Sequence, residues 1–357
     1  MEHVIVGMSG GVDSAVAAHL LLQKGYSIEA VFMKNWEDDS GYCTSEKDYL
    51  DALQICDVLK VPLRTVNFSK EYWDKVFKNF LSEYKCGRTP NPDILCNTEI
   101  KFKEFLNYAM QLGADKIATG HYAQCRSNNG ILKMYKGFDR NKDQSYFLYG
   151  LNQEQISKTI FPLGGLNKSQ VREYAKNLGF SNYNKKDSTG ICFIGERNFK
   201  EFLKEYIPAM PGEIITSSGE VVGDHDGLMY YTLGQRKGLG IGGARGKQNA
   251  PWYVISKDLD NNKLIVDQGH SHKNLYKSRL EGSCINWISG NKPSRTKLHA
   301  KIRYRMKDAP CFITEMTSSR IKVKFNDPQF AIAPGQSIVF YDDDQCIGGA
   351  IIEKAYN

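Results

Sequence analysis

The chain is 357 residues long, with 47 Lys and Arg against 40 Asp and Glu, a net charge of +7. At roughly 150 residues per domain this length predicts two or three domains, and 41% apolar with 24% charged residues suits a packed core and excludes a disordered tail or a collagen-like fibre. No stretch nears the roughly 20 apolar residues of a bilayer span, and Met1-Glu2-His3 leads into no signal-peptide core, so a cytoplasmic protein without membrane association is expected.

The first third alternates short apolar runs with helical patterns. Strands are predicted at 3–7, 27–33, 63–66 and 116–120, with helices at 12–24, 46–59, 70–85 and 97–112. Strands alternating with helices make an α/β fold, a parallel sheet covered by helices. Beyond about residue 200 the texture changes to hairpins, 213–216 with 220–222 and 252–256 with 263–267. From Arg279 onward, short strand candidates at 298–304, 311–316, 320–325, 337–341 and 346–352 predict a small barrel. The expected domains are therefore 1–200 (α/β, catalytic), 201–275 (small and β-rich) and 276–357 (β-barrel).

Nine cysteines, at 43, 56, 86, 96, 125, 192, 284, 311 and 346, form no C-x-x-C pair and no zinc spacing. In a chain of this size they read as reduced thiols, most of them buried. No metal site built from a protein cluster is expected. The charge is uneven: residues 276–357 hold 13 Lys and Arg against 8 Asp and Glu, a net +5 of the +7. Between Asn291 and Lys307 stand Lys292, Arg295, Lys297, Lys301, Arg303, Arg305 and Lys307 with no acid among them. That stripe is either a solvated strand face or a surface for a phosphate backbone.

Gly7-Met8-Ser9-Gly10-Gly11-Val12-Asp13-Ser14 follows a predicted strand and opens a predicted helix. Glycines admit close backbone approach, and helix N-terminal N–H groups point at an anion, so the segment suits phosphate. It lacks the G-x-x-x-x-G-K-[ST] of GTPases. The plainer alternative is a strand-to-helix turn capped by Ser9 or Ser14. S-G-G-V-D-S in this setting resembles the pyrophosphate-loop ATPases, which cleave ATP between its α- and β-phosphates to activate a carbonyl as an adenylate. The resemblance places Gly7 to Ser14 around pyrophosphate, Asp13 near Mg²⁺, and Met33 and Gly120 against the nucleotide, at strand ends where such sheets bind ligands.

A second segment, Gly87-Arg88-Thr89-Pro90-Asn91-Pro92-Asp93-Ile94-Leu95-Cys96-Asn97, lies between predicted helices, stiffened by two prolines. Cys96 directly precedes a predicted helix, whose macrodipole is expected to lower its thiol pKa. Asp93 is either a general acid or base or a turn residue. Cys192, in Asp187-Ser188-Thr189-Gly190-Ile191-Cys192-Phe193-Ile194, reads alone as a core thiol. Gly238, Gly240 and Gly243 match G-x-G-x-x-G, but no apolar strand precedes them, so no dinucleotide site is expected there.

Taken with T-G-H-Y-A at 119–123, K-D-Q-S-Y-F-L at 142–148, T-L-G-Q-R-K-G-L-G at 232–240 and the C-terminal C-I-G-G-A-I-I, these segments resemble the bacterial tRNA 2-thiouridylases, the MnmA/TrmU family, over essentially the whole chain. N-P-D-x-x-C-N and S-T-G-I-C-F-I are the most specific pieces. One departure is Ala15, where many members carry a second serine.

The resemblance implies ATP-dependent exchange of sulfur for the C2 oxygen of the wobble uridine in tRNAs for Lys, Glu and Gln. It implies a persulfide on Cys192, Cys96 as nucleophile, Asp93 in proton transfer, and a transient Cys96–Cys192 disulfide. It also implies Asn91, Pro92 and Asp93 against the target base, and His121, Lys142, Asp143, Gln144, Arg303, Tyr304 and Gln336 against tRNA. The expected partners are tRNA and a sulfur-donor protein, either a cysteine desulfurase or a relay protein. Two alternatives stand beside it: another pyrophosphate-loop ligase or amidotransferase, which needs no cysteine pair, and an idle RNA-binding or sulfur-carrier protein.

Overall fold

A computed structural model describes residues 1–37, 45–187, 199–241 and 250–357. Cys43, Cys192 with the rest of 188–198, and residues 242–249, Gly243 among them, lie outside the described residues.

The first domain is built on five parallel strands in the order β3-β2-β1-β4-β7: β1 His3–Gly7, β2 Ser27–Lys34, β3 Leu63–Asn67, β4 Lys116–Ala118 and β7 Thr159–Ile160. Helix α1, Val12–Gln23, crosses between β1 and β2 and buries Val12, Ala15, Val16, Ala17, Ala18 and Leu21. Its run of small residues lets it lie close to the sheet, where tight packing replaces large apolar side chains. Helix α2, Ser45–Leu59, follows β2.

Two longer helical stretches are not regular. Residues 69–85 contain a π-type segment at Trp73–Phe77, and residues 92–111 contain a longer one at Cys96–Glu104. The second stretch starts earlier than the sequence predicts. Pro92 occupies its first turn, and the Asn91 side chain caps it by accepting from the Asp93 N–H at 3.2 Å. Cys96 therefore lies inside the helix and not in front of it.

The central domain is a four-stranded sheet in the order β10-β11-β8-β9: β8 Gly212–Thr216, β9 Val221–His225, β10 Trp252–Asp258 and β11 Lys263–Gln268. In the C-terminal domain six strands close into a barrel: β12 Tyr276–Trp287, β13 Lys297–Lys301, β14 Ala309–Met316, β15 Arg320–Phe330, β16 Ser337–Asp342 and β17 Gln345–Tyr356. The pairing of β12 with β17 completes the ring. Strand β13 ends at Lys301, so Arg303 and Tyr304 sit in the turn after it and not in the strand predicted over 298–304.

A hairpin absent from the sequence reading, β5 Ala123–Asn128 with β6 Ile131–Lys136, adds to β17 through Cys346↔Met134 and carries the barrel sheet into the first domain. Side chains reinforce that junction. Lys136 meets Asp308 at 2.8 Å, Lys301 meets Asp143 at 3.4 Å, and the Tyr146 hydroxyl donates to the Ser337 carbonyl at 3.0 Å.

Candidate active site

The phosphate loop runs from the end of β1 to the start of α1. Gly11 is the N-cap, with extended backbone and no side-chain cap, so the first-turn N–H groups are left for a ligand. Gly10 has φ +71°, and a Cβ there would come within 2.1 Å of the Asp48 carbonyl oxygen. At Gly120 a Cβ would meet the Asp13–Ser14 backbone at 2.8 Å. The loop is stiffened from within: the Ser14 hydroxyl donates to the Gly11 carbonyl at 3.0 Å and lies 3.2 Å from the Ser9 hydroxyl. Met8 and Val12 point into the core, so only their backbone faces a ligand. Met33 lies against Gly7, 3.2 Å from where a Cβ would be.

Cations that sequence reasoning missed surround this loop. Lys168, at the start of the helix Lys168–Asn177, donates to both Asp13 carboxylate oxygens at 2.7 and 2.8 Å and meets Asp187 at 2.7 Å. Tyr122 donates to Asp13 at 2.8 Å. Lys185 meets Asp48 at 2.7 Å, and Asn182 donates to the Gly10 carbonyl at 2.9 Å. Lys142 pairs with Asp187, whose carboxyl is pushed up by burial but held below the usual range by hydrogen bonds from Lys142 and Lys168. The one sequence signal for Lys168 is the capping box Asn167-x-x-Gln170, which marks its helix.

The Asp13 carboxylate thus serves Lys168 and Tyr122, and a Mg²⁺ accompanying ATP would be held by phosphate oxygens together with one or two carboxylates. Among the described residues no cluster of three His, Cys, Asp or Glu is arranged for a metal, and no helix is long and apolar enough to cross a membrane.

The cysteine loop is held from outside its own domain. Lys257 of β10 donates to the Gly87 carbonyl at 2.8 Å, Arg88 pairs with Glu353 of β17, and the Thr89 N–H donates to the Pro334 carbonyl at 2.9 Å. Gln336 donates to the Thr89 carbonyl at 2.8 Å. Cys96 is buried, 4% exposed, and burial pushes its thiol pKa up. The expected lowering by the helix dipole is outweighed, since desolvation of a thiolate costs more than a first-turn dipole returns. Lys101 and a Tyr72 hydrogen bond act in the opposite sense, while Asp93 adds to the rise. Burial also raises the Asp93 carboxyl, against Lys101.

Phosphate loop and cysteine helix meet at residues 119–122. Gly120 packs on Asp13–Ser14, and Tyr122 bonds Asp13. Between them the His121 ring lies 5.6 Å from Phe102 of the cysteine helix, its Nδ1 2.8 Å from the Thr119 hydroxyl. Burial holds His121 well below its ordinary pKa, hence neutral.

The remaining residues implied by resemblance are spread more widely. Asp143 is buried, accepting from the Gly137 and Ser145 N–H groups at 3.1 Å. Gln144 accepts from the Tyr122 N–H at 3.0 Å. Arg303 donates to the Leu233 and Ala331 carbonyls at 2.9 and 2.8 Å, and Tyr304 packs on Phe147 at 4.4 Å. Of the basic stripe, Lys301 and Arg303 are internal, whereas Lys292, Arg295, Lys297, Arg305 and Lys307 are exposed.

A parallel-sheet domain with a pyrophosphate-type loop, packed through one short segment against the helix that bears a buried cysteine and carrying a basic barrel, defines a nucleotide-dependent enzyme of the pyrophosphate-loop class. Residues 2–196 match the family model described as "tRNA methyl transferase HUP domain", 200–268 the "tRNA methyl transferase PRC-barrel domain" and 277–352 the "Aminomethyltransferase beta-barrel domain". A tRNA-specific 2-thiouridylase MnmA of Methylococcus capsulatus is 57% identical over 99% of this chain and 97% of its own length. Another relative of that name, from Nitrosomonas eutropha, is 57% identical over 98% of both chains. The chain belongs to the tRNA-specific 2-thiouridylase family.

Proposed function

We propose that this protein is an ATP-dependent tRNA sulfurtransferase that converts the wobble uridine of tRNA to 2-thiouridine, with AMP and pyrophosphate as co-products. The observation that carries the reading is the junction at 119–122, where one four-residue segment packs against the phosphate loop on one side and, through Phe102, against the helix that bears Cys96 on the other. The full-length relatives named 2-thiouridylases support it.

A uridine C2 oxygen is a poor leaving group. Attack of that oxygen on the ATP α-phosphorus expels pyrophosphate, held by Gly7 to Ser14 with Lys168 beside them, and leaves the oxygen as part of an AMP leaving group. Met33 and Gly120 line the nucleotide. Asn91, Pro92 and Asp93 hold the base, which leaves the anticodon-loop stack to enter. Sulfur arrives as a persulfide on Cys192. Either the terminal persulfide sulfur attacks C2 and Cys96 then cleaves the S–S bond, or Cys96 first releases that sulfur as sulfide, which attacks. Both routes break the C2–O bond and release AMP. Both end with a Cys96–Cys192 disulfide that a thiol reductant reopens. Asp93, its carboxyl raised by burial, carries the proton between nucleophile and leaving group.

His121, Lys142, Asp143, Gln144, Arg303, Tyr304 and Gln336 form or support the tRNA surface. The substrates are the tRNAs for Lys, Glu and Gln, the sulfur comes from a desulfurase or relay protein, and the enzyme works in the cytoplasm. The free thiols of Cys56, Cys86, Cys96, Cys125, Cys284, Cys311 and Cys346 fit that reducing compartment.

The test measures 2-thiouridine in tRNA incubated with enzyme, ATP and a persulfide donor. Cys96→Ser and Cys192→Ser are each expected to abolish product. Full activity of both variants with that donor overturns the assignment.

A further inference from the structure

Lys101 stands on the same helix as Asp93 and Cys96, and it was not singled out by its sequence context. In an ordinary α-helix, five residues from Cys96 to Lys101 turn about 140° past a full turn, so the two side chains diverge. Here the segment Cys96–Glu104 is a π-helix with i→i+5 hydrogen bonds, and its wider turn brings residue 101 nearer to the face of residue 96. Asp93, one α-turn before Cys96, shares that face. The ring of Phe102, next along the helix, lies against His121 at the junction with the phosphate loop.

Among the described residues, few titratable groups act on Cys96. On its own helix they are Asp93 and Lys101; from the helical stretch 69–85 comes the Tyr72 hydroxyl. His121, from the end of β4, is neutral and itself feels Lys101. Lys101 thus acts on all three titrating groups of the cluster, Asp93, Cys96 and His121, as the cation common to them. Among the described residues it forms no ion pair, whereas its neighbour Lys103 is tied to Glu99 at 2.8 Å on the outer face.

We propose that Lys101 is the positioning residue that makes the Cys96 thiolate less costly to form, offsetting part of the burial that disfavours the anion. The proposal rests on Cys96 being the sulfur-transfer nucleophile. Lys101 acts through Cys96 and needs no contact with tRNA or ATP.

The experiment follows iodoacetamide modification of Cys96 in the intact protein by peptide mass spectrometry from pH 6 up to the highest pH at which the protein stays folded, in wild type, Lys101→Met, Lys101→Gln and Lys101→Arg. Thermal melting identifies which neutral variant is folded. In Lys101→Met or Lys101→Gln the midpoint of the rate profile is expected to move up by about one pH unit, with roughly tenfold slower modification at pH 7.5, because only the thiolate reacts. Lys101→Arg is expected to keep the wild-type midpoint. An unchanged midpoint in a folded neutral variant overturns the proposal even if Cys96→Ser is inactive. An active Cys96→Ser enzyme overturns the nucleophile assignment instead, whatever the midpoint does.

Discussion

Gln336, in the turn before β16 of the barrel, donates its side-chain amide to the carbonyl of Thr89, 2.8 Å away in the loop that leads to Cys96. The same amide lies 3.4 Å from the Pro90 carbonyl, and the Pro334 carbonyl accepts the Thr89 N–H from the other side. The domain expected to grip RNA is therefore bonded to the backbone of the loop that leads to the residues proposed to hold the target base. Gln336→Ala removes a loop contact of about 1 kcal/mol. The expected result is a roughly tenfold slower single-turnover thiolation, since small misplacements near the chemistry are costly, with tRNA affinity within twofold. A large loss of tRNA affinity at unchanged rate would instead make Gln336 a direct RNA contact.

The barrel cations divide by where the fold leaves them. Arg305 and Lys307 are exposed, while Lys301 is buried against Asp143 and above the Tyr341 ring. Filter-binding titrations of tRNA against salt separate the two groups. Arg305→Ala and Lys307→Ala are each expected to shallow the log-log slope by about one, as for one lost phosphate contact. Lys301→Met leaves a buried carboxylate uncompensated and is expected to cost roughly 3 kcal/mol of stability, seen in denaturant melts.

Lys168 joins two acids beside the phosphate loop, Asp13 and Asp187. Lys168→Met leaves both carboxylates facing an incoming polyanion, so tRNA-dependent AMP formation is expected to fall at least tenfold. Stability is expected to drop by about 2 kcal/mol, less than for a fully buried pair because both acids are partly solvated. Adding Asp13→Asn to Lys168→Met is expected to restore part of the melting temperature and none of the AMP release. Equal recovery of both would make the pair purely structural.

How much of this was legible beforehand follows from the period of each element. The parallel sheet, the phosphate loop and the barrel were readable because strand alternation and glycine placement are local signals. The β5–β6 hairpin was not, because its pairing partner, Cys346 for Met134, is some two hundred residues away. The cysteine helix was misread twice. Pro92 with its Asn91 cap starts it five residues early, and the π-type segment changes which side chains share a face. A reading based on a 3.6-residue period finds neither. The stripe 291–307 looked uniform in sequence, yet two of its cations, Lys301 and Arg303, are consumed by internal partners that only the closed barrel supplies.

Asp93 sets stability against chemistry. Its carboxyl pKa is raised by burial, so the folded protein binds that proton more tightly than the unfolded chain does. In that case stability falls as pH rises from the ordinary carboxylate pKa through the raised one, and the full cost is carried above the raised value. Asp93→Asn keeps the shape and the N–H bonded to Asn91 but removes the ionisable group. At pH 7 the variant is expected to melt higher than wild type while forming no 2-thiouridine, and the difference in melting temperature is expected to shrink as pH is lowered toward 4. A variant that melts lower than wild type at pH 7 would mean that the carboxylate contributes to stability as an anion, contrary to a buried acid awaiting a proton.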